Sequence, residues 1–439
     1  MHLSLHCGTK NVANMKKLNL LLIFFASALA MNGQTLEECQ RAAEQNYPVI
    51  KQYDLIAKTR DLTIANINRK TWLPQITASA QGTYQSDVAS WPDEMGVMMK
   101  QLGVNMRGLS KAQYRMGIDL NQTLYDGGSS SAAKALAREQ SQVESAQTDV
   151  TLYNIRSRVN EIYFGLLLID ERIALSSNRD NLLKNSEDKL ASMYKHGTAS
   201  ASEYNLIKAE RLSAAQQLTS LQAQKQSLSK MLGLLCGITI DNPVKPADVA
   251  ISSQATNQRP ELQLIDAQMR LIDAQEKQLG TQLIPKVNLF AQGYYGYPGL
   301  NMFQDMMKRT PTLNGIVGLK MTWNMGALYT RHNDKTKLRL QRASLENNRE
   351  TFLFNNRLEL AGMDEDVKLY RNLMKQDEEI IGLRTDVRKA AESRLAHGII
   401  DVNDLIKEIN NEHAARISQS THEIEMLKRI YDIKNSINN

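Results

Sequence analysis

Proline is the residue this chain withholds. Of 439 residues only nine are proline, and none falls between Pro92 and Pro243 or after Pro311. Two very long stretches therefore lack the commonest helix breaker. Aromatic residues make up 6%, thin for several compact globular cores. No charge sign dominates: 53 Lys and Arg against 47 Asp and Glu leave a formal +6, with both signs interspersed. No basic block with interleaved aromatics occurs, so nucleic acid is not an expected partner. Cysteine is limited to Cys7, Cys39 and Cys236, and one possible pair, Cys39 with Cys236, is no disulfide framework. G-x-S-x-G, H-E-x-x-H, P-loop and Rossmann fingerprints are all missing, so neither an enzyme nor a bound cofactor is expected.

Long apolar runs are lacking too, with one exception. Lys16 and Lys17 precede Leu18 to Ala30 (LNLLLIFFASALA), which ends in the A-x-A tripeptide Ala28-Leu29-Ala30. At 13 residues the run falls short of the roughly 20 a spanning helix needs, and it predicts an export signal over residues 1–30, with Met15 as its natural opening. No cysteine follows it directly, so a lipid-anchored N-terminus is not indicated. No later segment reaches this length. If the chain spans a membrane, strands must do it.

What the sequence does contain is a segment that occurs twice. PQITASAQGTY (Pro74 to Tyr84) returns 211 residues later as PKVNLFAQGYY (Pro285 to Tyr295). In the first copy Ile76, Ala78, Ala80, Gly82 and Tyr84 take one face, and Gln75, Thr77, Ser79, Gln81 and Thr83 the other. A period of two with one apolar and one wet face marks a β-strand. Each copy is followed by a loop and a second alternating run. Tyr114, Met116, Ile118, Leu120 and Leu124 alternate with Gln113, Arg115, Asp119, Asn121 and Thr123; Leu313, Val317, Leu319, Met321 and Trp323 alternate with Asn314, Lys320 and Thr322. Strands of about 10 to 12 residues match a tilted membrane strand. The cluster GYYGYPG (Gly293 to Gly299) reads as an interfacial aromatic girdle at a strand end.

Between strands the period becomes helical. Ile155, Val159, Ile162, Leu166, Ile169 and Ile173 step by fours and threes, a coiled-coil seam, and Ala214, Leu218, Leu221, Leu228, Leu232 and Leu235 continue it on a return segment. Ser129 to His196 predicts one helix of about 68 residues, near 100 Å at 1.5 Å per residue, and Ala327 to His397 a second as long. Both end alike, in Tyr194-Lys195-His196-Gly197 and Leu395-Ala396-His397-Gly398. Glycine supplies the left-handed residue past a helix end, and histidine suits the helix's negative pole. Histidine as a metal ligand is the sharper reading, but each lacks a neighbouring histidine or cysteine, so capping is expected.

The chain therefore reads as a tandem duplication: a first repeat over 35–241, a connector over 242–256 and a second repeat over 257–439. Four strands cannot close a barrel, and open edges are not tolerated in lipid. Several chains must pool their strands, since the smallest common barrels have about eight.

Particular motifs carry a resemblance: TLEECQRAAEQNYPVI, WLPQITASAQGTY, LNQTLYDGGSSSAAKALA with its counterpart MTWNMGALYTRHNDK, and the paired turns YKHGTASASEY and LAHGIIDVNDL. In their order and duplication they resemble the TolC-like outer membrane efflux protein family over essentially the whole mature length. The resemblance implies a mainly α fold with a membrane β-barrel: four transmembrane strands per chain plus long periplasmic coiled-coil helices, three chains forming a twelve-stranded barrel that continues into a twelve-helix tunnel. It implies a passive exit duct in the outer membrane of a Gram-negative bacterium for small toxic compounds or secreted protein. Implied partners are the outer membrane lipid, a periplasmic adaptor and an inner-membrane transporter of RND, ABC or MFS type. The family closes its tunnel near the helical tips, and Glu203 and Asp404, each six residues past a tip glycine, match acidic residues at that constriction. Lys407 departs from a second acid that some relatives carry. The plain reading of Glu203 and Asp404 is first-turn acids favouring a helix N-terminus. The tip turns His196, Gly197 and Thr198, with His397, Gly398 and Ile399, are the expected adaptor-docking residues.

Two other classes compete. A periplasmic coiled-coil adaptor or scaffold would explain the signal and the hairpins but not the four alternating strands or the interfacial aromatics; an all-helical enzyme is the other, which activity in a soluble monomer would favour. Met95, Met98 and Met99 before Lys100, and Met302, Met306 and Met307 before Lys308, could suit a soft ion such as Cu(I). Methionine as filler of adaptable apolar surface is the expected role.

Overall fold

Alternation and heptads resolve into strands and helices close to the expected limits. The computed structural model describes residues 34–103, 108–240, 242–249 and 257–438. The export signal over 1–30, Cys7, part of the connector and the last residue lie outside these. In chain order the elements are α1 (Leu36–Asn46), a 3-10 turn (Pro48–Lys51), α2 (Gln52–Trp72), β1 (Gln75–Tyr84), α3 (Asp93–Gln101), β2 (Ala112–Tyr125), α4 (Ser129–Lys195) and α5 (Ala201–Cys236). Then follow α6 (Pro260–Thr281), β3 (Lys286–Tyr297), α7 (Met302–Lys308), β4 (Thr312–Thr322), α8 (Ala327–Ala396) and α9 (Val402–Ile437). No helix among the described residues is long and apolar enough to cross a membrane.

The chain divides into two compact units, each drawing on both halves of the sequence. One takes the described parts of Met1–Lys51, Thr148–Pro260 and Thr351–Asn439; the other takes Gln52–Gln147 and Glu261–Glu350. The second unit carries the sheet, antiparallel throughout in the order β1-β2-β3-β4. Its register places like residues on like faces. Ile118 pairs with Ala78 and Gly293, Ala291 with Leu120 and Val317, and Leu289 with Leu319, on one apolar face. On the other face Asp119 accepts hydrogen bonds from Gln292 Nε2 at 2.6 Å and Ser79 Oγ at 3.4 Å, and Arg115 Nη2 donates to Gln81 Oε1 at 3.0 Å. A shift in register between Thr123 and Tyr125 interrupts the alternation near the end of β2. Trp323, expected on β4, lies beyond it and donates its indole N–H to the Leu283 carbonyl at 3.0 Å.

The segments beyond the strands are not plain loops. The methionine clusters sit on the short helices α3 and α7. Met306 is buried with Leu109 and Tyr297, against Val88 and Trp91. The aromatic girdle expected at GYYGYPG is corrected in part. Tyr295 is exposed on the apolar face, but Tyr294 and Tyr297 are buried. The Tyr297 hydroxyl accepts the Ser110 N–H at 2.9 Å. Tyr294 faces the opposite side of β3 from Tyr295 and lies against Gly117, where any β-carbon would sit 2.7 Å from its own.

The other unit is a helical core. Ile155, Val159, Ile162, Leu166 and Ile169 of the expected α4 seam are all buried. The first four join Leu36, Cys39 and Ala43 of α1, Leu232 and Cys236 of α5, and Ile424, Leu427 and Tyr431 of α9. The N-terminus of α1 is held by a capping box: Glu38 N–H donates to Thr35 Oγ1 at 3.3 Å, and Thr35 N–H to Glu38 Oε2 at 3.0 Å. Each fully buried Leu, Ile or Phe here contributes about 1.5–3 kcal/mol.

Candidate functional site

The two hairpin tips are built to one plan. Gly197 and Gly398 have φ of 78° and 69°, values an L side chain adopts only with strain. Thr198 N–H reaches back to the Met193 carbonyl at 2.9 Å and Gly197 N–H to that of Tyr194 at 3.1 Å. Ile399 N–H does the same to Arg394 at 2.9 Å and Gly398 N–H to Leu395 at 3.0 Å. Both pairs are Schellman closures that satisfy the last helical carbonyls. His397 Nδ1 lies 2.7 Å from the Ser393 carbonyl oxygen, so that nitrogen carries the proton and the ring caps its own helix. The side chain of His196 makes no such bond among the described residues.

Three residues past each glycine stands the N-cap of the return helix. Ser200 caps α5 and Asp401 caps α9. Glu203 closes a capping box, its Oε2 accepting from Ser200 N–H and Oγ at 2.7 Å each. The Ser200 backbone and then its hydroxyl hold the Glu203 carboxyl below its usual range. At Asp404 the backbone N–H is taken by Asp401 Oδ1 at 2.9 Å, while its carboxylate makes no hydrogen bond or ion pair among the described residues. The two acids thus share a position and differ in employment: Glu203 is engaged locally and Asp404 is not.

The hairpins pack against each other through Leu183, Leu190, Ile207, Ala391, Val402, Leu405 and Ile409. Arg179 bridges them, donating to Glu210 Oε1 at 2.6 Å and Asn410 Oδ1 at 3.0 Å, and Asn410 Nδ2 donates to the same Glu210 oxygen at 3.0 Å. Above the tips lies an ion pair that sequence reading missed. Arg388 and Glu412 stand 10 residues before and 14 after Gly398. They are joined side chain to side chain, and Glu412 also accepts from Arg416 Nη2 at 2.7 Å and Thr385 Oγ1 at 2.9 Å. Burial raises the Glu412 pKa, but the bonds from Arg416, Arg388 and Thr385 outweigh it and hold the group below its usual range. The same offsets from Gly197 give Glu187 and Arg211, paired at 2.7 Å with the charges exchanged. Matching offsets around the two glycines were the signal that could have found both pairs.

The tips also differ in surface. Tyr194 and Tyr204 stack at 5.9 Å with planes 6° apart, and Lys208 Nζ lies 5.8 Å from the Tyr204 ring centre. The corresponding positions of the second hairpin hold Leu395 and Leu405, of which Leu405 is buried. Ile399, at the turn itself, is exposed. Nearby, Arg179, Arg388, Glu412, His413 and Arg416 line a groove of about 450 Å³. Burial, then the Arg179 charge, pushes the His413 pKa down to about 4, and its buried Nε2 has no hydrogen-bond partner among the described residues.

Against this geometry, residues 60–237 match the model of the family described as outer membrane efflux protein. No curated protein matches the chain in sequence. Among solved structures, the VceC outer membrane protein of Vibrio cholerae is similar at 14% identity, covering 92% of this chain and 96% of that one with a TM-score of 0.62. The CmeC outer membrane channel of Campylobacter jejuni matches at 15% identity, 92% and 85% coverage and a TM-score of 0.61. The open state of the Neisseria gonorrhoeae MtrE outer membrane channel matches at 13% identity, 92% and 89% coverage and a TM-score of 0.62. At such identities the likeness is one of fold. The TolC-like resemblance read from the sequence stands: the chain is mainly helical and shares the fold of outer membrane channels.

Proposed function

We propose that this protein is the outer membrane exit duct of a tripartite efflux or type I secretion system. One observation carries the reading: a four-stranded sheet, apolar on one face and polar on the other, with β1 and β4 as unpaired edges. Such edges cannot remain open in lipid, so β1 of one chain pairs with β4 of the next. Three copies supply twelve strands, the closed homotrimer that the resemblance implies, with the polar faces lining the pore. The two sequence repeats, 35–241 and 257–439, then alternate around the ring, and the long helices form a periplasmic tunnel. A coiled-coil adaptor or scaffold has no use for the sheet, and the sheet weighs against that reading. Transport here is passive. No side chain performs a reaction, and the chain is not an enzyme.

Glu203 and Asp404 form the gate at the tunnel's far end, six acids per trimer, of which the Asp404 carboxylates carry no local duty. The turns His196, Gly197, Thr198 and His397, Gly398, Ile399 dock the periplasmic adaptor, which couples the duct to an inner-membrane transporter of RND, ABC or MFS type. The Tyr194–Tyr204 stack and exposed Ile399 support this, because they offer apolar anchors at the tips. A ring of carboxylates binds multivalent cations, and a cation held there blocks conduction. The trimer in a planar bilayer should conduct and be blocked by a trivalent cation. Glu203→Gln/Asp404→Asn should abolish the block while keeping the fold, since glutamine still serves a capping box. A trimer that does not conduct would refute the duct; block undiminished in the variant would refute the gate alone.

A further inference from the structure

Hydrogen bonds fasten α1 and the chain just before it to the end of α5 and the segment that follows it. Val244 N–H donates to the Gln34 carbonyl at 3.1 Å, and the Tyr163 hydroxyl lies 2.8 Å and 2.6 Å from the carbonyls of Gln34 and Val244. Asn46 Nδ2 donates to the last carbonyls of α5, Leu234 at 3.1 Å and Leu235 at 3.2 Å. Between these two fastenings sit Cys39 of α1 and Cys236, the final residue of α5. They are 0% and 3% exposed, both free thiols, and Cys236 Sγ is 3.3 Å from the Cys39 carbonyl oxygen. A hydrogen bond shared with the Cys236 thiol, followed by burial, pushes the Cys39 pKa far up.

We infer that Cys39 and Cys236 are a disulfide site, oxidised as the chain folds in the compartment it is exported to. The inference rests on the outer membrane reading, because only an exported chain meets an oxidising compartment. Two observations point to a bond rather than to two incidental core thiols. Cys39 and Cys236 share one buried core cluster, with the Cys236 sulfur against the Cys39 backbone, and hydrogen bonds fasten Gln34 to Val244 and Asn46 to the end of α5 on either side of them. The fold thus already holds the two cysteines as neighbours, the first requirement for bridging them. With Cys7 inside the expected export signal, the mature chain holds these two cysteines and no odd one.

The oxidant is a protein dithiol–disulfide carrier. One chain thiolate attacks the carrier's disulfide, forming a mixed disulfide and releasing one carrier thiolate. The second chain thiolate attacks the chain sulfur of that mixed disulfide, forming the Cys39–Cys236 bond and releasing the other. The carrier leaves as a dithiol, holding the two electrons and two protons that the cysteines gave up. Because both sulfurs are buried in the finished fold, the exchange precedes closure of the core. The product ties together residues 197 apart, so the mature N-terminus and the end of the first hairpin are linked throughout unfolding.

The test is made on wild-type protein from the outer membrane fraction, quenched in acid, denatured in SDS and treated with a maleimide–polyethylene glycol. No adduct is expected before reduction and two afterwards, with an intact mass two hydrogens below the reduced chain. Two adducts without reduction, on protein recovered from the outer membrane, would overturn the disulfide and leave the duct reading intact. Two reactive thiols on a chain recovered only from the cytoplasm would overturn both.

Discussion

Arginine at Ile118 should break assembly, and arginine one residue later should not. Ile118 lies near the middle of β2, flanked across the sheet by Ala78 and Gly293, with 56% of its surface exposed. In a lone chain that exposure is unexplained; in a closed barrel it is the lipid-facing surface. A cationic side chain at the bilayer midplane costs about 2–4 kcal/mol per chain, and about three times that for a trimeric barrel. Per chain this is about a 30-fold to 900-fold shift in the assembly equilibrium. Asp119 faces the other way. Asp119→Arg loses the bonds from Gln292 and Ser79, on a wet face where such bonds contribute about 1 kcal/mol each. The two variants are compared by the heat-modifiable trimer in outer membrane fractions and by urea unfolding in lipid vesicles. Ile118→Arg should yield little trimer and Asp119→Arg close to wild type. Equal yields, or the reverse order, would refute the assignment of faces.

Two further outcomes follow from the helical unit. At Gly197 and Gly398 an added β-carbon meets nothing within 4 Å, so Gly197→Val/Gly398→Val costs backbone strain alone, about 1–2 kcal/mol per site. The double variant should still reach the membrane as a trimer but fail to support export or crosslink to an adaptor; normal drug resistance or secretion would show that the turns have no docking role. His413, with a folded pKa of about 4 against about 6.5 unfolded, binds its proton first in the unfolded chain. Its contribution is fully present above pH 6.5 and is lost as pH falls toward 4. Unfolding midpoints in urea should therefore decline over that window, and His413→Gln should flatten the decline; an unchanged slope would place the titration elsewhere.

Most of the fold was legible because backbone periodicity is local. A period of two gave β1 to β4 their faces, and the step of Ile155, Val159, Ile162 and Leu166 marked the buried stripe of α4 before any neighbour was known. The left-handed turns at Gly197 and Gly398 were legible for the same reason, since glycine after a long heptad run closes a helix by itself. The long proline-free stretches and the absence of apolar spans already left strands as the only route through a membrane. Tertiary structure alone decided what depends on partners distant in sequence. Tyr294 and Tyr297 look like a girdle in sequence, and only Gly117 across the sheet and Met306 in the next segment turn them inward. Glu203 and Asp404 are the exception, alike by position but parted by a local difference: Ser200, three residues back, engages the Glu203 carboxylate, while that of Asp404 has no partner among the described residues. The Arg388–Glu412 pair and its charge-exchanged counterpart Glu187–Arg211 are separated by whole helical turns, and Cys39 and Cys236 by most of one half of the chain. Whether such residues meet is set by how helices pack, a property of the folded chain that no local period encodes.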